Sequence, residues 1–185
     1  MTDSSRTRIL DSAEALFARD GFDATPTARV AAKAGVGKGL LFYYFPTKID
    51  LLRTLLAERL PTAPLCEPGE VVSPGDVAGS LLKLAQKVDL GRHDSLVLRT
   101  IVFREASTHP EVRAHITALR QGLLELTGRV LDAASPRPLA SKRRGNAAHT
   151  YLAVMLDEAN ARRFGGPAPD LAAAAQIVAA GLAEG

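Results

Sequence analysis

Apolar residues in this chain recur three and four positions apart almost from end to end, and alternating apolar and polar runs are nearly absent. A 3.6-residue period puts such residues on one face of a helix, whereas a half-buried strand needs a period of two. The pattern therefore points to an all-α fold of about nine helices with no sheet. Ile9, Ala13, Leu16 and Phe17 mark a first helix that Gly21 can close in the left-handed conformation. Thr25 is the expected N-cap of a short second helix, with Pro26 at its first position. Its inward stripe is Thr27, Val30, Ala31 and Ala34, and Gly35 ends it. After Val36-Gly37, a third helix runs from Lys38 to Phe45, with Leu41 and Phe45 on one face, and Pro46 stops it. Thr47 caps a fourth helix carrying Leu51, Leu52, Leu55 and Leu56.

Pro61, Pro64, Pro68-Gly69 and Pro74-Gly75 make the clearest boundary in the chain. It separates an N-terminal domain over residues 5–60 from a helical body over 61–185. Ser73-Pro74-Gly75-Asp76 reads as an aspartate variant of a capping box ahead of Val77, Leu81, Leu84, Ala85 and Val88. Residues 96–103 are apolar nearly all round and read as a central helix broken by His109-Pro110. The next helix carries Val112, Ile116, Leu119, Leu123, Leu126 and Val130. Two more close the chain, one through Ala148, Tyr151, Leu152, Met155 and Ala159, the other through Leu171, Ala174, Ala175, Val178 and Leu182.

Three short helices in the first 45 residues, with a tight glycine turn between the second and third, suit a helix-turn-helix. Ala31, Ala34 and Gly35 are small enough for one helix to brace the other closely. The third helix is short enough for a major groove ~12 Å wide. In their detail these residues resemble the DNA-binding domain of the TetR family of bacterial regulators. The resemblance covers residues 9–52, about a quarter of the chain. It rests on Ala34-Gly35-Val36, Lys38-Gly39, Leu41-Phe42-Tyr43-Tyr44-Phe45 and Lys48, with Gly21-Phe22 and Val30-Ala31 before them.

What the resemblance implies is a dimeric regulator that binds a palindromic double-stranded DNA operator and is released by a small molecule, most simply as a repressor. Thr25 and Thr27 would hold a phosphate at the start of the second helix. Lys38 and Gly39 would open the recognition helix, Phe42, Tyr43 and Tyr44 would touch bases or phosphates, and Lys48 would bind a phosphate. Pro26, Gly37 and Phe42 depart from the family's usual hydroxyl-bearing residues, and each departure removes one polar contact. The resemblance also implies a ligand pocket in the body. Its candidate lining is Leu98, Ile101, Val102, Phe103, Arg104, His115, Leu119, Tyr151 and Met155, which mildly favours an apolar or aromatic effector. A dimer seam on the last two helices would use Leu152, Ala159, Leu171, Ala175, Val178 and Leu182. The competing function is a helical ligand- or protein-binding module that does not read an operator.

Composition narrows the remaining classes. Hydrophobic residues make up 46% of 185, enough for a sizeable core. The net charge of +3 is small, and residues 1–60 hold nine Lys/Arg against seven Asp/Glu, so any basic surface must be local. Cys66 is the single cysteine, which rules out an intrachain disulfide and fits a reducing, cytoplasmic setting. No apolar stretch approaches the ~20 residues of a membrane span. His93, His109, His115 and His149 lack metal-ligand spacing, and no phosphate loop or nucleophile signature appears. No cofactor, metal or catalytic site is therefore expected. Lys142-Arg143-Arg144 reads as a solvated helix start.

Overall fold

A computed structural model describes residues 3–60, 62, 66–90 and 104–183. Among them it contains eight α-helices and no strand. These are α1 (Asp3–Asp20), α2 (Thr27–Ala34), α3 (Lys38–Tyr44), α4 (Lys48–Arg59), α5 (Val77–Val88), α6 (Pro110–Ala134), α7 (Ser141–Phe164) and α8 (Leu171–Ala183). A 3-10 turn spans Pro68–Glu70. The central helix expected over 96–103 lies outside the described residues.

The chain divides into two units. The first takes residues 1–62 and 95–119, the second 63–94 and 120–185. The residues through Leu119 thus fall in the first unit, not with the body expected over 61–185. The reason is burial. Val112 is fully buried in the same core as Ile9, Phe17, Leu41 and Leu52.

In the first unit α1 buries Ile9, Leu10, Ala13, Leu16 and Phe17, the stripe its spacing demands. Gly21, at φ 90°, closes the helix by donating its N–H to the Phe17 carbonyl at 2.8 Å. Phe22 then turns back so that its ring meets Phe17 edge-on at 5.2 Å. Leu51, Leu52, Leu55 and Leu56 line the inner face of α4. Each such side chain contributes roughly 1.5–3 kcal/mol of burial.

In the second unit α8 packs against α5 and α7. The core there includes Leu81, Leu84, Val88, Leu126, Val130, Leu131, Tyr151, Leu152 and Met155. Asp76 caps α5 by accepting the Gly79 N–H at 2.8 Å, a simple side-chain cap rather than the box read from the sequence. Gly79 has to be a glycine here, since a Cβ would lie 2.1 Å from Asp76 Oδ2. Gly165, at φ 73°, closes α7. The basic run at the start of α7 is tied down: Arg144 pairs with Asp132 at 2.7 Å, and Arg143 donates to the Gly181 carbonyl. Cys66 is buried, and that burial pushes its thiol further above the ordinary range. It therefore stays a protonated, unreactive thiol.

Candidate nucleic-acid interface

The turn between α2 and α3 is built by backbone alone. Gly35 sits in the left-handed region at φ 64°. From there its N–H reaches the Ala32 carbonyl at 3.1 Å, and the Val36 N–H reaches Ala31 at 3.0 Å. This closure satisfies the Ala31 and Ala32 carbonyls near the end of α2 and turns the chain away from that helix. Gly37 is the N-cap of α3, with no side-chain cap.

Helix α3 is then held by two anchors. Leu41 is wholly buried, and Phe45, just past the helix end, is 1% exposed. The opposite face carries Lys38, Gly39, Leu40, Phe42 and Tyr43, all exposed. Tyr43 is 77% exposed and Phe42 42%, which is unusual for large apolar rings. The two tyrosines stack edge to face, Tyr43 on Tyr44 at 5.3 Å, and Tyr44 leans on Phe45. Arg6 places its guanidinium 5.7 Å over the Phe45 ring from the far side. A seven-residue helix is ~10 Å long, so this rod matches the width of a major groove.

Helix α4 starts beside this surface with a full capping box. The Asp50 N–H donates to Thr47 Oγ1 at 3.1 Å, and the Thr47 N–H donates to Asp50 Oδ2 at 3.1 Å. Lys48 follows, half-buried. Its Nζ donates to the Asp23 carbonyl at 3.2 Å and stands 4.4 Å over the Phe22 ring. Burial lowers this ammonium below the usual lysine range, while Asp23 and Glu105 act in the opposite direction.

Several site residues expected from the sequence sit elsewhere. Thr25 is wholly buried, and its hydroxyl donates to the Gly21 carbonyl at 2.7 Å. A hydroxyl has one proton, so Thr25 is a brace between α1 and α2 and is no part of the outer surface. Pro26, not Thr25, occupies the N-cap of α2. Thr27 is half-buried at the first turn. Leu40, exposed on α3, was not anticipated. Of two adjacent leucines on a helix only one can point inward, and Leu41 does.

The body residues also redistribute. Leu98, Ile101, Val102 and Phe103 lie outside the described residues. Arg104 falls in the first unit against Gly21, where an added Cβ would come within 3.3 Å of its guanidinium. His115 holds the Leu60 carbonyl through Nε2 at 2.7 Å, and Leu119 is half-buried in the same unit. Tyr151 is fully buried, and its hydroxyl has no hydrogen-bond partner among the described residues. Met155 lines a small groove with Asp89, Leu90, Glu158, Arg162 and Leu171. Leu152, Ala159, Ala175 and Val178 are buried in the chain's own core, so they are not the exposed seam expected of them. The large apolar residues that α7 and α8 expose, among the described residues, are Leu156 and Ile177, the latter 72% exposed. Leu171 and Leu182 are intermediate.

A short recognition rod braced across a glycine turn defines a helix-turn-helix protein. Comparison with known proteins agrees in detail. Residues 9–55 match the family model for bacterial regulatory proteins of the tetR family. The chain is 33% identical over 114 residues to the transcriptional repressor KstR of Rhodococcus jostii, an alignment covering 58% of this chain and 52% of KstR. It is 25% identical over 161 residues to the repressor AcnR of Corynebacterium glutamicum, covering 83% of this chain and 79% of AcnR. The fold is also that of NalD, the secondary repressor of the MexAB-OprM multidrug efflux pump in Pseudomonas aeruginosa. That match has a TM-score of 0.63 at 22% identity and covers 98% of each chain. Residues 9–55 are thus similar to the DNA-binding region of the tetR family, and the chain spans about half to three-fifths of the length of the first curated relatives it matches. No helix among the described residues is long and apolar enough to cross a membrane.

Proposed function

We propose that this chain is a cytoplasmic transcriptional repressor that binds a palindromic operator as a homodimer and releases it when a small molecule binds the body. The observation that carries this reading is the two-faced α3: Leu41 and Phe45 grip the core while Lys38, Phe42 and Tyr43 are presented outward. Exposing two large rings costs solvation unless a partner covers them, and thymine methyls and sugar faces suit them. Lys38 supplies charge for a guanine edge or a phosphate, and Gly39 leaves the backbone open for close approach. Tyr44, at the end of the rod, and Thr27 and Lys48 beside it serve as phosphate contacts. The curated relatives support the repressor reading, since KstR and AcnR are both named repressors.

The effector would occupy the body, against Met155 and the groove it lines. That groove sets apolar Leu90, Met155 and Leu171 beside Asp89, Glu158 and Arg162. An effector with an apolar body and one polar group fits this lining. Helix α6 belongs to both units, its first ten residues to the head and the rest to the body. It is the covalent route by which a shift in the body reaches Val112 and His115. A coupling of ~1–3 kcal/mol would weaken operator binding about 5–150-fold.

Selection of bound duplexes from random DNA tests the reading. Inverted half-sites about one turn apart, ~34–36 Å, should be enriched, and affinity should fall steeply with salt. Failure to enrich any sequence would leave a ligand- or protein-binding module in place of a regulator.

A further inference from the structure

Glu105 and His109, four residues apart, meet the sequence-distant Asp23 within the first unit. His109 Nε2 lies 3.2 Å from Glu105 Oε2 and 3.5 Å from Asp23 Oδ2. One ligand atom from each of the three lies within 4.8 Å of the others. Yet Nε2 is buried without a hydrogen-bond partner among the described residues, so both carboxylates lie off the line along which the ring could donate. Nitrogen and oxygen ligands at ~2.0–2.2 Å from one ion stand roughly 3.0–3.5 Å apart around a tetrahedron or octahedron. The two distances to Nε2 are those of neighbouring ligands.

The surroundings fix the orientation of these groups. Glu105 Oε1 accepts the Phe22 N–H at 3.0 Å, which turns Oε2 toward His109. The His109 ring is fixed edge-on against Phe22 at 4.8 Å. Such outer contacts orient ligands in metal sites. The Glu105 and His109 side chains are 7% and 15% exposed, whereas Asp23 is 78% exposed, leaving one open side for entry and for water. The neighbouring cation, Lys48, donates to the Asp23 main-chain carbonyl and forms a cation–π contact with Phe22. Two carboxylates thus face a single imidazole.

We propose that Asp23, Glu105 and His109 bind one divalent transition-metal ion of the zinc type, with an open position on the Asp23 side. Imidazole with carboxylate oxygen suits that class of ion. Sequence spacing could not show it, because Asp23 reaches the other two only through the fold.

The test is a zinc titration of the full chain against a competing chromogenic chelator, alongside thermal melting with and without zinc. The wild type should bind one zinc ion and melt at a higher temperature with it. Asp23→Asn, at an exposed position, should fold normally, and His109→Gln removes the imidazole. Each should lose more than the roughly 10–100-fold in affinity that outer-sphere partners contribute, and neither should melt higher with zinc. A wild type that takes up no zinc, or either variant matching it, overturns the proposal and leaves His109 as a structural brace.

Discussion

The carboxylate of Glu105 accepts the main-chain N–H of Phe22 at 3.0 Å, joining positions 83 residues apart in sequence. The contact is buried, at the corner where α1 gives way to α2. Replacing Glu105 with Ala should strand that N–H and cost ~1–3 kcal/mol, read from denaturant unfolding in the presence of chelator. Glu105→Gln keeps the acceptor and should cost less. Equal losses in the two variants would mean that charge, not the hydrogen bond, holds the corner.

Thr25 and Tyr43 should behave as opposites. Thr25→Val removes a buried hydroxyl that serves the Gly21 carbonyl at 2.7 Å. It should lower stability by ~1–2 kcal/mol while the folded fraction binds DNA as before. Tyr43→Ala, at a 77% exposed position, should leave the melting point within ~0.5 kcal/mol of wild type and weaken operator binding. Reversed results in a paired melting and DNA-binding assay would move the interface away from α3.

Ile177 is the most exposed large aliphatic side chain among the described residues, at 72%. If α7 and α8 pair with a second copy, Ile177→Glu should shift sedimentation toward monomer by burying a charge in the seam. The same substitution at a surface without a partner would leave the oligomeric state untouched.

Tyr151 offers a pH test. Burial pushes its phenol up to about 12 from an ordinary value of 10.0. The folded state therefore keeps its proton where the unfolded chain has lost it. Below pH 10 both states hold the proton and the shift is silent; as pH rises from 10 toward 12 only the unfolded chain ionises, so stability falls by about 2–3 kcal/mol over that window. Tyr151→Phe should lack this component, so the stability gap between wild type and variant should open only above pH 10. At neutral pH the variant should be at least as stable, because the hydroxyl it removes has no partner among the described residues.

Helix positions, the glycine turn and the anchors Leu41 and Phe45 were legible in the residues themselves. Their causes are local: a 3.6-residue apolar period, a left-handed Gly35 and a proline that ends a helix. The face of α3 could be read for the same reason. What local pattern could not assign was the destination of a side chain with two acceptable partners. Thr25 has the chemistry of a phosphate contact or an N-cap, yet its hydroxyl turns back to Gly21. Leu152, Ala159, Ala175 and Val178 form stripes that would serve a dimer or a core equally well, and packing took them inward. The meeting of Asp23 with Glu105 and His109 belongs to the tertiary structure alone, because a contact between residues more than eighty positions apart leaves no periodic trace in the order of the chain.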